Sequence, residues 1–191
     1  MSADGKHMAQ AFIELLAEDP EAESALAIAR GRLAAGRRLG GLRRVRVFEL
    51  AGALPSRAQV EELLHRSTRF YNPAKERCTV RAAEREPAPF TPEEALVLVL
   101  DRGLERRPAG ERWWKHETGE KVEVREGTVW ALAFEPGEDA AARAGDLAEL
   151  KDRRHGLFAN PHFQDWRAGE GAHPPWPWLE RPRKRAKEDR P

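Results

Sequence analysis

The chain repeats itself. LFANPHFQDW (Leu157 to Trp166) restates RFYNPAKERC (Arg69 to Cys78): an aromatic, an Asn-Pro pair, then a short polar-apolar run with strand character. Aligning Asn72-Pro73 with Asn160-Pro161 sets an offset of 88 and brings Phe70 onto Phe158. Upstream, VRVFEL (Val45 to Leu50) falls on VWALAF (Val129 to Phe134), and AFIELLAED (Ala11 to Asp19) on ALVLVLDRG (Ala95 to Gly103), both at an offset of 84. The difference lies in a stretch that reads as a helix in both copies. It equals about one helical turn, so the indel lengthens the helix without rotating its apolar face. Self-similarity of this kind constrains the fold more than any local propensity does.

Local chemistry fills in each copy. In the first, Asp19-Pro20-Glu21 starts a helix: an N-cap acceptor, Pro at the first helical position and an acid near the positive end. Ala22, Ala25, Leu26, Ala29 and Leu33 continue it at helical spacing, with Gly40-Gly41 as the stop. VRVFEL places Val45, Val47 and Glu49 on one strand face and Arg46, Phe48 and Leu50 on the other. Ser56 and Gln59 form a capping box for a helix whose Val60, Leu63 and Leu64 face inward, and ERCTVR supplies the last strand. AFIELLAED has helix-favouring composition, and its alignment with LVLVLD is what assigns it to a strand.

The second copy agrees at its ends. LVLVLD (Leu96 to Asp101) is apolar on both faces, as a central strand is. Thr91-Pro92-Glu93-Glu94 is a capping box that runs into this strand rather than a helical pattern. VEVREGTVWALAF reads as two short strands or one bent strand with Gly127 at the bend. Asp139 caps a helix carrying Ala144, Leu147, Ala148 and Leu150. In LERRPAGERWWKHETGEK, Pro108, Gly110, Gly119 and the Trp113-Trp114 pair interrupt the helical period, so a short helix or an added hairpin is expected there.

The expected fold class is therefore α+β: two tandem ferredoxin-like units, antiparallel sheets with helices on one face, forming a pseudo-dimer. The expected organisation is a first unit at 9–81, a linker at 82–93, a second unit with a degenerate first helix at 94–167, and a Pro/Trp then basic tail at 168–191. A second copy of the same unit is a natural cover for the sheet face that the helices leave open.

These residues resemble the PurS-like family, the small subunit of the multi-subunit formylglycinamide ribonucleotide amidotransferase (phosphoribosylformylglycinamidine synthase) of purine biosynthesis. Such chains run strand, helix, bent strand pair, helix, a leucine-aromatic stretch with Asn-Pro, and a closing strand. VEVREGTVWALAFE with the Ala-rich helix and GLFANPHFQDWR is the closer match, and RFYNPAKERCTVR repeats the element. The resemblance implies an assembly role without a catalytic centre: a component bridging the synthetase and glutaminase subunits, with a homo-oligomer as a candidate state. It implies no cofactor.

Composition limits the alternatives. With 40% apolar and 34% charged residues among 191, the chain has material for a modest core. No apolar run approaches the roughly 20 residues that cross a bilayer. The N-terminus lacks a basic-then-apolar leader and there is one cysteine, so the expectation is a cytoplasmic protein. The histidines at 7, 65, 116, 155, 162 and 173 form no HExxH and no zinc spacing, and no Gly-rich phosphate loop occurs. Cys78 follows Arg77, yet no base accompanies it, so it reads as filler in a strand. Catalytic, cofactor and metal residues are thus none.

Asn72, Pro73, Asn160 and Pro161 read as turn formers and candidate interface positions. Trp113, Trp114, Trp130 and Trp166 are candidates for packing between the copies. Trp176 and Trp178, in the Pro-Trp stretch, are candidate partner-docking residues on a strap that either folds back or docks elsewhere. The rival readings are a single-stranded nucleic-acid module using Trp113, Trp114, Trp130 and the tail RPRKRAKEDRP, with its six basic and two acidic residues, and a self-associating scaffold protein whose partner is unrelated to purines. Nucleic acid is the weaker expectation, because acidic residues (32) nearly match basic ones (33).

Overall fold

The structure, a computed structural model, describes residues 7–179. The element order is β1 (His7–Leu15), α1 (Pro20–Arg32), β2 (Leu39–Gly52), α2 (Arg57–His65), β3 (Glu76–Arg81), β4 (Ala95–Asp101), α3 (Pro108–Thr118), β5 (Val122–Phe134), α4 (Ala140–Ala148) and β6 (Gln164–Glu170). The strands form one six-stranded sheet in the order β3-β1-β2-β5-β4-β6, antiparallel throughout. Read inward from either edge, each half contributes its third, first and second strand. The basic tail, 181–191, lies outside the described residues.

The long strands β2 and β5 run side by side from Leu39↔Phe134 to Gly52↔Val122, and they join the halves edge to edge. The second half of the chain therefore extends the sheet rather than covering its open face. β5 is one continuous strand. At Gly127 an added Cβ would stand 2.8 Å from the methyls of both Leu98 and Leu100, so any larger residue there requires those leucines to shift.

All four helices cover one face, over two apolar clusters. Ala22, Ala25 and Ala29 of α1 meet Ala144, Leu147 and Ala148 of α4 above Val97, Val99, Trp130 and Leu132. Val60 and Leu64 of α2 meet Trp114 of α3 above Ala9, Ala11, Ile13, Phe48 and Leu50. The first helix of each half thus packs with the second helix of the other. Trp113 sets its ring edge against Phe70 at 5.7 Å, so the aromatics of α3 and β5 do join the two halves.

Two local expectations change. The stretch expected to be a short or degenerate helix, or a hairpin, is an eleven-residue helix, α3, with Pro108 at its start and Gly119 (φ 76) ending it. Pro108 and Gly119 sit at its boundaries, where they favour a helix, Gly110 lies in its first turn against the Phe70 ring, and Trp114 inside it is fully buried. Helix α1 ends at Arg32 instead of running to Gly40-Gly41, which belong to β2. The tight turn at Ala34–Gly36 brings Gly36 against Ala29, where a Cβ would lie 2.5 Å from the Ala29 carbonyl oxygen.

The repeat also has a finer register than one offset. The edge ladders pair Leu15 with Glu76 and Asp101 with Gln164. Glu76 and Gln164 each stand four residues after an Asn-Pro asparagine, so Leu15 and Asp101 hold the same place in the two halves. They are 86 positions apart, one pleat away from the offset of 84 read for these strands. A shift of two residues keeps every side chain on its face, which is why the alternating pattern did not reveal it.

The opposite sheet face carries Phe12, Val45, Val47, Leu96, Leu98, Leu100 and Val129. Two irregular segments cover it: Ala88 and Phe90 from between the halves, and Trp178 and Leu179 after β6. No helix among the described residues is long and apolar enough to cross a membrane.

Candidate functional site

The two Asn-Pro turns end on the outer strands and share one hydrogen-bond pattern. The Asn72 N–H donates to Glu76 Oε2 at 2.6 Å, and the Asn160 N–H to Gln164 Oε1 at 2.8 Å. Asn72 Oδ1 accepts from the Ala74 N–H (3.1 Å) and Asn160 Oδ1 from the His162 N–H (3.0 Å). The Asn carbonyls accept from Glu76 and Gln164, each at 2.8 Å, and the carbonyls of Lys75 and Phe163 accept from Leu16 and Arg102, each at 2.9 Å. Each asparagine side chain is engaged in shaping its own turn, as Asx turns require. Pro73 and Pro161 are half-buried beside them.

A cavity of about 160 Å³ opens beside the start of α1, lined by Arg44, Arg107, Glu21, Glu126, Trp130 and Phe158 among others. Its charges satisfy one another. Arg44 bonds Asp19 at 2.8 Å and also Glu21, and Arg107 bonds Glu126. Burial opposes the Asp19 carboxylate, but Arg44 and the N–H groups of Glu21 and Ala22 outweigh it and hold its pKa below the ordinary range. Nothing here forms a nucleophile–base pair. Among the described residues no three of His, Cys, Asp and Glu converge as a metal site.

Cys78 is half-buried on edge strand β3, and Arg77 turns away from it to bond Glu14 at 3.0 Å. Burial, with Glu61 nearby, pushes the thiol up to about 12. The thiolate is the reactive form. Cys78 is therefore expected to react with a disulfide reagent at neutral pH far more slowly than free cysteine, and to reach the free rate only after denaturation.

The most elaborate polar construction lies under the C-terminal strap. The ladders set Arg81, Gln10, Glu49 and Arg125 in one row across β3, β1, β2 and β5. Gln10, Glu49 and Arg81 are 0%, 3% and 1% exposed, so every polar atom there needs a partner. Gln10 Nε2 donates to Glu49 at 2.7 Å, and Arg81 Nη1 to Gln10 Oε1 at 3.0 Å. The row then binds the strap backbone. Arg81 donates to the Pro174 carbonyl at 3.0 Å and Gln10 to that of Pro175 at 3.3 Å. Glu49 accepts from the Trp178 and Leu179 N–H groups at 2.5 and 3.0 Å. Arg125 donates to the Leu179 carbonyl at 3.3 Å, and Arg167 of β6 to that of Trp178.

Trp178, 1% exposed, packs over Gly169, where an added Cβ would meet its ring at 3.0 Å. Trp176 stays half-buried with the Arg81 guanidinium over its ring at 5.0 Å. Of the two tryptophans read as partner-docking residues, Trp178 is thus spent on its own sheet, because the Glu49 carboxylate anchors the backbone beside it. The strap cluster was not singled out in the sequence. The strap itself was read as folding back or docking elsewhere, and here it folds back; for the polar row beneath it the sequence signal was Gln10 and Glu49 in phase with the apolar Phe12, Val45 and Val47.

Desolvation raises the pKa of Glu49 against the opposing pull of the Trp178, Gln10 and Leu179 donors and of Arg125. A group with a raised folded pKa contributes most to stability below its unfolded pKa, and that contribution is lost as pH rises through the folded value. The wild type is therefore expected to lose unfolding free energy relative to Glu49→Gln as pH rises from about 4. Urea titrations across that range read this, and a difference that is flat or grows with pH would contradict it.

Of the tryptophans named for base stacking, Trp114 and Trp130 are 0% and 7% exposed and offer no ring face to a base, while Trp113 is half-buried with its ring set against Phe70. Neither the family models, nor the curated proteins, nor the solved structures compared with this chain give a match.

Proposed function

We propose that the chain is a tandem pair of ferredoxin-like, PurS-like units that arose by duplication and acts as a non-catalytic assembly protein. In this reading it bridges the synthetase and glutaminase subunits of a phosphoribosylformylglycinamidine synthase. The observation that carries it is the matched pair of Asn-Pro turns, each with the same hydrogen bonds at the outer strand of its half. The cores agree with it. Phe48 meets Phe70 edge-on at 5.5 Å, and Trp130 stacks on Phe158 at 4.8 Å, at the corresponding place. The ion pair of Arg44 with Asp19 has its counterpart, with charges reversed, in Glu126 with Arg107. An assembly role suits a chain whose cavity charges are paired with one another and whose outer strands, β3 and β6, each have one sheet neighbour among the described residues.

The test is reconstitution. Mixed with a PurS-deficient synthetase and glutaminase pair at micromolar concentrations, the chain is expected to give one complex with glutamine-dependent turnover. If no complex forms while ammonia-dependent turnover by the synthetase is intact, the purine assignment is lost.

A further inference from the structure

We propose that the sheet face opposite the helices is a peptide groove whose partner is the strap of a second copy of this chain, exchanged reciprocally between the two. The groove recognises main chain more than side chains. Its contacts fall on the carbonyls of Pro174, Pro175, Trp178 and Leu179 and on the N–H groups of the last two. One side chain, Trp178, fills the notch that Gly169 leaves. All of these contacts form equally well with the same segment arriving from another molecule. Reciprocal exchange then costs no contact and closes a symmetric dimer.

Three features make the strap exchangeable. It follows β6, which lies at the sheet edge, so it can leave without breaking a strand pair. Its tether is slight: the Gly171 N–H bonds the Glu94 carbonyl at 3.1 Å, and the Ala172 carbonyl takes the Ala88 N–H at 2.6 Å. Three prolines, at 174, 175 and 177, fix their own φ whether the strap is free or docked, so rebinding loses less backbone freedom at those positions. Its hold is also imperfect. The buried Trp178 indole N–H meets no acceptor among the described residues, and Glu49 is held in a desolvated site. This inference stands apart from the purine reading, and the failure of either leaves the other.

Two full-length variants separate strap from groove. Trp178→Ala keeps the groove and loses the anchor, while Gly169→Val keeps the anchor and fills the notch. Each alone is expected to sediment as a monomer. Their mixture, holding one intact strap and one intact groove, is expected to form a 1:1 dimer of doubled mass, and wild type to dimerise with rising concentration. A mixture of only monomers, with both variants retaining the wild-type circular dichroism, overturns the proposal. Should Gly169→Val fail to fold, the peptide Ala172–Leu179 added to full-length Trp178→Ala decides the matter. Saturable quenching of its tryptophan fluorescence, weakened at least about tenfold when Glu49→Leu is added, supports the groove. No binding at millimolar peptide sinks it.

Discussion

Trp178→Ala should lower the unfolding free energy by up to about 3–5 kcal/mol, the usual range for emptying a fully buried tryptophan site. The side chain is 1% exposed and seals the apolar face over Leu96 and Gly169. Because the strap follows the edge strand β6 and takes part in no strand pair among the described residues, the protein has an alternative to carrying the cavity: it can release residues 172–179. The loss is then capped at the docking energy of the strap. Hydrogen exchange separates the two outcomes. Release strips protection from the amides at 178 and 179, which Glu49 otherwise holds, and leaves β1, β2 and β5 protected. A full-sized loss with those two amides still protected would mean the cavity is carried intact. A change below about 1 kcal/mol would place Trp178 outside the core.

The contrast between Trp178 and the rest of the fold shows what the sequence could convey. Strands and helices were legible because apolar residues recur at the periods of two and about 3.6 that local geometry imposes. The repeat even overrode composition: AFIELLAED has the make-up of a helix, yet lies largely in β1, since pairing with both β2 and β3 outweighs a weak intrinsic preference. Helix α3 was misjudged because Pro108 and Gly119 were read as interruptions when they mark the ends. The exchange of first helices between halves, and the burial of Arg81, depend on contacts between residues far apart in the chain. Periodicity is silent about such contacts. Glu49 left a trace, a charge in the phase of Val45 and Val47, but the strap that satisfies it lies 129 residues on.

Arg81→Leu should be among the most damaging substitutions under the strap, at about 2–6 kcal/mol, because it leaves two buried acceptors unpaired at about 1–3 kcal/mol each. Arg81, 1% exposed, donates to Gln10 and to the carbonyls of Pro174, Glu84 and Glu86; its loss orphans the buried acceptors on Gln10 and Pro174, while Glu84 is exposed and Glu86 half-buried, so their carbonyls can turn to water. It also removes a positive neighbour of Glu49. With that charge gone, Glu49 holds its proton more tightly in the folded state, while its unfolded pKa is unchanged. The variant therefore loses stability over a wider interval than wild type as pH rises, and its deficit should be larger at pH about 7 than at about 4. Arg81→Lys should not rescue, since a single ammonium cannot span acceptors arranged for a planar fork. Denaturant midpoints for both variants at the two pH values check this. A deficit that shrinks toward neutrality, or a lysine variant equal to wild type, would show that Arg81 acts through its length and packing rather than through the charge and hydrogen bonds it brings to Glu49 and the strap.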